Sequence, residues 1–402
     1  MSRPAPVIAY VRVVNQSKLA DEVLLRDLQP YVGRPLDVQA LSGTLQRLRA
    51  LGGFARLDYR IEQKDGREGL VVEADQRPGD TRRLRPGLTI AAQGKGHSKF
   101  DISAEYRMLQ LDPEGSEARF TATLGDRKIF TAEYFKLLDR RQRWFVDPSA
   151  GFYARPVVVF DRSGFRLGEY NAMYGLGGLA VGRQIATAAE LRIGYRGGLG
   201  KATLEEGQLV PSDVHIHTGQ LYASGGFDTL DSPWFPRSGS RAGFEYAAGL
   251  EAIGESHDFQ QASASGLHAV SFGRNSLIFN AEGGDTLQGT APLPSLFTLG
   301  GPFNFPGYAP EELTGQTYFA ARVMFRRRLT GEAKGLFGLP LYAGATVVTG
   351  NAWQRGAVDF GNLRIGGNVF IAADTLIGPV FLVVGAADRG RSAAYLFVGK
   401  PF

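Results

Sequence analysis

From about Arg82 to the end of the chain, helical spacing disappears and one pattern repeats: roughly sixteen segments, each about 9 to 16 residues long, alternate apolar with polar or small side chains. Turn clusters separate them, among them "DPEG", "DRSG", "FGRN" and "ADRG". In "YFAARVMFRRR", Phe319, Ala321, Val323 and Phe325 share one face of an extended chain, and Arg322 and Arg326 share the other. A soluble sandwich would bury that apolar face as its core, whereas a transmembrane barrel would turn it to lipid. Segments such as Phe165 to Val181 and Phe259 to Phe272 exceed the usual sandwich strand, and an even tally suits a closed bacterial barrel. No stretch approaches the roughly 18 consecutive apolar residues of a membrane helix, so a spanning form of this chain has to be a barrel. The expected fold is mainly β: an antiparallel transmembrane β-barrel of about 16 strands. Tyr134, Phe135, Trp144, Phe145 and Trp353, near segment ends, are expected to form interfacial girdles.

The first 75 or so residues follow a different grammar. Val7, Ala9, Val11 and Val13 alternate as a strand. Val23, Leu24 and Leu28 and then, after "GRPLD", Leu41, Leu45, Leu48 and Leu51 recur at helical spacing, with Gly52 and Gly53 closing the second helix. "FARLDYRIEQ" and "GLVVEADQ" read as two strands joined at Asp65 and Gly66. Strand, helix, helix, strand, strand makes a compact α+β module, expected over residues 1–80, with the barrel over 81–402.

Composition narrows the function classes. The 402 residues include no cysteine, which rules out disulfides and cysteine metal sites. Lysine plus arginine, 45, only slightly exceed the 40 acids and are scattered, which fits a solvated surface and not a nucleic-acid partner. "MSRPAPVIAY" has no charged region followed by an apolar run and cleavage site, so the expectation is a chain that starts after processing or a piece of something longer.

The most unusual connection is "LGGPFNFPGY", Leu299 to Tyr308, which packs glycines, prolines and aromatics between the eleventh and twelfth barrel segments without a charge. Glycines permit close backbone approach, prolines limit freedom and aromatics pack, a composition suited to a loop that tucks inward. The C-terminal segment, with Tyr395, Phe397, Gly399 and terminal Phe402, is similar to the strand signal that outer-membrane assembly machinery reads in its clients. The module, through "GGFARLDYRIEQKDGREGLVVEADQR", resembles a POTRA domain, the periplasmic unit that precedes the barrel in the BamA-like and two-partner-secretion transporter superfamily. "FDTLDSPWFPRSGS" resembles that superfamily's strand connection, with Pro233, Pro236 and Gly239 expected to form its turn.

This resemblance spans nearly the whole chain. It implies that "LGGPFNFPGY" is the sixth extracellular loop, folded into the lumen as a plug through Gly300, Gly301, Phe305, Pro306, Gly307 and Tyr308. In the superfamily an arginine stands before the Gly-aromatic pair and meets an aspartate on the thirteenth strand. Here Pro306 and Val348 stand at those places, and loss of both charges avoids the cost of one alone in the lumen. The pair's absence resembles the branch in which a patatin-like lipase, a POTRA domain and a barrel share one polypeptide, known as type Vd autotransporters. That resemblance implies an outer-membrane location with the POTRA domain in the periplasm. The implied partners are outer-membrane lipids and lipopolysaccharide, the barrel assembly machinery, an upstream patatin-like passenger and a second copy as a homodimer. It implies no cofactor, no metal and no nucleic acid.

Other readings fit the same residues less well. A stand-alone transporter or assembly factor of the superfamily should carry a signal peptide and usually the tip arginine. A barrel phospholipase needs a lipid-facing Ser and His, and no G-x-S-x-G elbow occurs; "GHSK" fails at Phe100, so no enzyme activity is expected of this chain. His215 and His217 share a strand face but lack a third ligand nearby in sequence, so a plain barrel-wall pair is expected. Arg326, Arg327 and Arg328 offer an anionic-lipid contact at a strand end, with a solvated turn or lumen stripe as the commoner reading.

Overall fold

A computed structural model describes residues 5–50, 52–93, 98–160, 166–186, 188–207, 211–308, 310–330, 339–354, 358–375 and 377–399. The expected order of the N-terminal module is found: β1 (Ile8–Asn15), α1 (Asp21–Leu28), α2 (Val38–Ala50), β2 (Arg56–Lys64) and β3 (Arg67–Asp75). The sheet order is β1-β3-β2, with β1 parallel to β3 and β2 antiparallel to it. Asp37 starts α2 by accepting the backbone N–H groups of Gln39 and Ala40 at 2.9 and 3.0 Å, which satisfies two donors the helix leaves open. Asp65 and Gly66 both take positive φ, 53° and 70°, as a tight two-residue hairpin between twisted strands requires. Leu24, Leu28, Leu41, Leu48, Leu57 and Leu70 lie fully buried between helices and sheet, each stabilising the module by roughly 1.5–3 kcal/mol.

The module departs from expectation in β1. Its register shifts between Ile8 and Tyr10, which puts Ile8 in the core and leaves Val7 exposed, so a single alternating face from Val7 to Val13 does not form. On the outer sheet face, Arg12 and Arg60 hold the Glu62 and Glu73 carboxylates below their ordinary range by hydrogen bonds of 3.0 and 2.9 Å.

Sixteen antiparallel strands follow and close on themselves. They are β4 (Arg82–Gln93), β5 (Ser98–Met108), β6 (Glu117–Gly125), β7 (Lys128–Leu137), β8 (Trp144–Phe160), β9 (Arg166–Ala186), β10 (Ala189–Gly207), β11 (Asp213–Asp228), β12 (Gly239–Gly249), β13 (Phe259–Phe272) and β14 (Asn275–Gly289). After the short hairpin β15 (Phe297–Leu299) and β16 (Leu313–Gly315), the barrel resumes with β17 (Thr317–Arg328), β18 (Leu341–Trp353), β19 (Arg364–Thr375), β20 (Gly378–Ala387) and β21 (Arg391–Val398). Closure runs from Val398↔Leu88 to Ala393↔Gln93. Phe165 and Phe402 lie outside the described residues, as do Leu51 and the Gly96 and His97 of "GHSK".

Alternation sorts each strand into a lumen face and an outer face. Ile193, Leu199, Val347, Ile365, Val369 and Leu382 point outward and are each more than half exposed, which is the apolar belt a bilayer covers. Inside, Arg107, Glu117, Arg119 and Glu133 run across three strands as ion pairs of 2.7–3.1 Å, and Asp147 pairs with Arg192 at 2.8 Å. The girdle expectation is corrected at two positions. Phe145 is fully buried on the lumen face, with Phe135 packed on it at 4.5 Å and Arg192 over its ring at 4.9 Å. Both aromatics carry the parity of the lumen residues beside them, so closeness to a strand end did not decide their face.

The module rests on two barrel turns. Ala20 N–H donates to Pro113 O at 2.8 Å, Gln110 donates to Gly52 O at 2.5 Å, and Gln76 bridges Gly53 O and Gln110, both at 2.7 Å. Arg26 donates to Arg141 O at 2.7 Å, and Arg140 pairs with Glu22 at 2.8 Å. These contacts define a module end and a far end of the barrel. Because strands alternate in direction from β4, the β11–β12 connection (residues 229–238) lies at the module end and the β14–β17 connection (residues 290–316) at the far end.

Candidate functional site

The far-end connection turns back into the barrel after β15. Gly301 N–H donates to Tyr308 O, and Phe305 N–H to Gly301 O, both at 2.9 Å, which closes the tip into a compact knot. Gly300, Gly301 and Gly307 take φ of 140°, 90° and 91°. At Gly307 the need for glycine is twofold, since a Cβ there would stand 2.6 Å from the Ala387 amide nitrogen of β20. Pro306 lies equally close to the wall: a Cβ on Gly385 would stand 2.8 Å from the Pro306 Cβ, and one on Gly366 2.8 Å from the Pro306 oxygen. Glycines on β19 and β20 thus open the space into which the tip fits.

Phe305 and Tyr308 are completely buried and meet edge to face at 5.2 Å. Val348, also completely buried, packs in the same cluster with Leu299, Leu313 and Ala320. Where the resemblance calls for an arginine facing an aspartate, the tip therefore meets the wall through apolar contact. Polar anchors surround this contact. The Tyr308 hydroxyl donates to Asp388 at 2.5 Å and accepts from Arg364 at 2.8 Å. Arg391 lies over the Tyr308 ring at 4.6 Å and pairs with Glu312 at 2.5 Å. Asn368 donates to Pro302 O at 2.9 Å, and Arg322 donates to Phe303 O while pairing with Glu282 at 2.9 Å. From the opposite wall, Arg155 of β8 reaches Glu311 at 2.5 Å.

The module-end connection also enters the lumen. Phe235 is buried, stacks on Tyr342 at 4.3 Å and lies 5.4 Å from Phe381. Arg326 donates to Pro236 O at 2.6 Å with its guanidinium over both rings of that stack. Phe303 of the far-end loop reaches the other side of the same Phe381 at 5.2 Å, and Phe397 at 5.2 Å. Two insertions from opposite ends thus meet in one aromatic column along β20 and β21. The lumen is asymmetric as a result: the β17–β21 wall is covered by the two insertions, while the β5–β10 wall carries the ladder of ion pairs.

Of the six loop positions singled out in sequence, Phe305, Pro306, Gly307 and Tyr308 lie against this inner wall, and Gly300 and Gly301 turn the chain at φ 140° and 90° before them. Tyr395 and Phe397 point into the lumen, Tyr395 donating to Tyr308 O at 3.3 Å, and Gly399 turns the chain with φ 79°. Gly239 takes φ 102° as the first residue of β12, and Asp231 ties the β11–β12 connection by accepting Arg237 N–H at 2.8 Å. Asp388, Arg391 and Glu312 escaped the sequence reading because "ADRGR" and "PEEL" look like any solvated turn. His215 and His217 are both exposed with rings 6.5 Å apart, and no metal-holding group occurs among the described residues.

The family model described as the Omp85 superfamily domain matches residues 114–386. Among solved structures, the chain is similar to BamA from Haemophilus ducreyi lacking POTRA domains 1-3, with TM-score 0.66 and 13% identity over 98% of this chain and 84% of that one. It is also similar to CdiB from Acinetobacter baumannii (TM-score 0.65, 11% identity, 98% and 74%) and from Escherichia coli (0.65, 12%, 98% and 76%). At such identities the likeness speaks for the fold. No curated protein matches the chain in sequence.

Proposed function

The chain belongs to the Omp85 superfamily, and from that premise we infer that it is the outer-membrane translocator and anchor of a patatin-like lipase autotransporter. Its barrel is an outer-membrane barrel of the transporter type, with the module end in the periplasm. In this reading residues 1–80 are a POTRA domain that links an upstream lipase passenger to the barrel of residues 81–402. The observation that carries it is the uncharged loop tip: Pro306 before Gly307 and Tyr308, with Val348 buried in the same cluster as Phe305 and Tyr308, fits the lipase branch and departs from branches that keep an ion pair there.

The loop and the module-end turn act as a plug that closes the lumen at rest. Phe305 and Tyr308 together stabilise the closed position by roughly 3–6 kcal/mol through burial. A passing segment displaces the apolar insertions and runs along the charged β5–β10 wall, where exchangeable ion pairs and water accept a polar backbone.

The intact mass and N-terminal sequence of the native polypeptide from isolated outer membranes test this. A lipase domain with a G-x-S-x-G elbow preceding Met1 is the expected result. A native chain that begins near Met1 after a cleaved signal peptide overturns the passenger reading and leaves a stand-alone transporter.

A further inference from the structure

The triple-arginine strand end is divided by the barrel wall. Arg326 points inward and is consumed by Pro236 and the Phe235–Tyr342 stack, whereas Arg327 has the parity of outward Val323 and Phe325 and is exposed. Two further exposed arginines stand beside it at the module-end rim. Arg274 occupies the β13–β14 turn, where its carbonyl accepts Arg328 N–H at 2.8 Å, and Asn275 next to it pairs across to Arg327. Arg237 reaches the same turn, donating to Gly273 O at 2.9 Å. Among the described residues no carboxylate pairs with any of these three guanidinium groups; the nearby Asp231 is occupied by its own turn's N–H groups.

Directly along the same strands, toward the membrane midplane, the outer face is hollowed into a groove of about 620 Å³. Its floor is a row of small residues in direct cross-strand register, Ala242↔Gly266, Gly266↔Ala281 and Ala281↔Ala321, and Phe279 and Val323 form its module-side shoulder. At about 3.3 Å per residue, Arg327 and Ala321 are roughly 20 Å apart along β17, about the length of an extended long acyl chain.

We propose that this face is a binding site for one anionic phospholipid of the module-side leaflet, its phosphate held by Arg237, Arg274 and Arg327 and an acyl chain running along β14 and β17 over the Phe279–Val323 shoulder so that its end enters the groove. Charge complementarity selects the headgroup, because three neighbouring guanidinium groups that no carboxylate among the described residues pairs with repel one another until a phosphate neutralises them. The position of the groove selects a lipid over a soluble anion, since a wall that faces hydrocarbon offers a chain of that length a recess that a smooth barrel does not. The proposal requires only that the barrel sit in a bilayer, so it stands or falls apart from the identity of any passenger.

Native mass spectrometry of the full chain in detergent, titrated with phosphatidylglycerol or with phosphatidylcholine of the same tails, tests it. The expected result is one retained phosphatidylglycerol, preferred about tenfold or more, with the preference abolished in the Arg237→Gln, Arg274→Gln, Arg327→Gln variant. Ala281→Phe, which fills the groove, should weaken long-chain lipid and spare short-chain lipid. Equal binding of both lipids, or an unchanged preference in the arginine variant, overturns the proposal. Competition by inorganic phosphate as strong as that by lipid overturns the acyl part, and preferential capture of lipopolysaccharide overturns the choice of leaflet. Should the triple variant fail to fold, a salt series on the native chain decides: the preference must fall as salt rises, and a salt-independent preference overturns the arginine contact.

Discussion

The Tyr308 hydroxyl donates to the Asp388 carboxylate at 2.5 Å, joining the tip of the far-end loop to the β20–β21 turn across 80 residues of sequence. The same oxygen accepts from Arg364 at 2.8 Å, so one phenol bridges an acidic and a basic side chain of the wall. Tyr308→Phe keeps the ring and its packing but removes both bonds, and should weaken the closed position by about 1–2 kcal/mol, roughly a 5- to 30-fold gain in open events. Single-channel recording in planar bilayers checks this; an unchanged open frequency would mean that the phenol does not hold the loop.

Gly307→Ala adds one methyl group where a Cβ stands 2.6 Å from the Ala387 amide nitrogen, at φ 91°. Steric conflict should push the tip off the wall and raise steady conductance. Gly254→Ala separates this from backbone strain alone: its φ is 103°, but its nearest neighbour, Thr218 O, is 4.0 Å away. That variant should fold and conduct like the native chain.

Val348→Asp places a charge among Phe305, Leu313 and Ala320 and should destabilise the barrel by at least about 3 kcal/mol, read as a lower temperature for loss of the compact form on semi-native gels. Adding Pro306→Arg to it restores an opposite charge at the tip and should recover part of the loss. A double variant no better than the sum of its parts would show that tip and wall do not meet there.

In the module, Arg12 and Arg60 hold Glu62 and Glu73 below the ordinary carboxylate value of 4.5. Carboxylates whose folded value is lowered contribute stability that is fully present above 4.5 and lost as pH falls through the lower folded value. The protection of the β2–β3 amides against hydrogen exchange, taken relative to the intrinsic rate at each pH, should therefore fall below that pH. Because these side chains are solvent-screened, high salt should erase most of the effect.

Much of the fold was legible because period-two alternation survives in barrel strands such as Thr317–Arg328, and because Asp65–Gly66 permits a hairpin that few other dipeptides do. The far-end loop announced itself through its composition. What stayed hidden depends on closure in three dimensions. Phe135 and Phe145 were assigned by nearness to a strand end, yet their face follows parity across the neighbouring strands. Trp234 and Phe235 read as part of a turn, and nothing local says that the turn folds under the barrel to reach Phe381. Asp388 and Arg391 gain meaning only because Tyr308 arrives from another part of the chain.

A loop that closes the lumen, as proposed above, has to move for transport. The absence of cysteine allows a direct measurement, because Pro306 and Gly385 lie within about 1 Å of disulfide reach across the loop and wall. The Pro306→Cys, Gly385→Cys variant should assemble normally, stay non-conducting while oxidised and conduct on reduction, and, under the proposed function, an upstream passenger should reach the cell surface only from the reduced form. An oxidised, cross-linked barrel that conducts and exports as freely as its reduced form would contradict the claim.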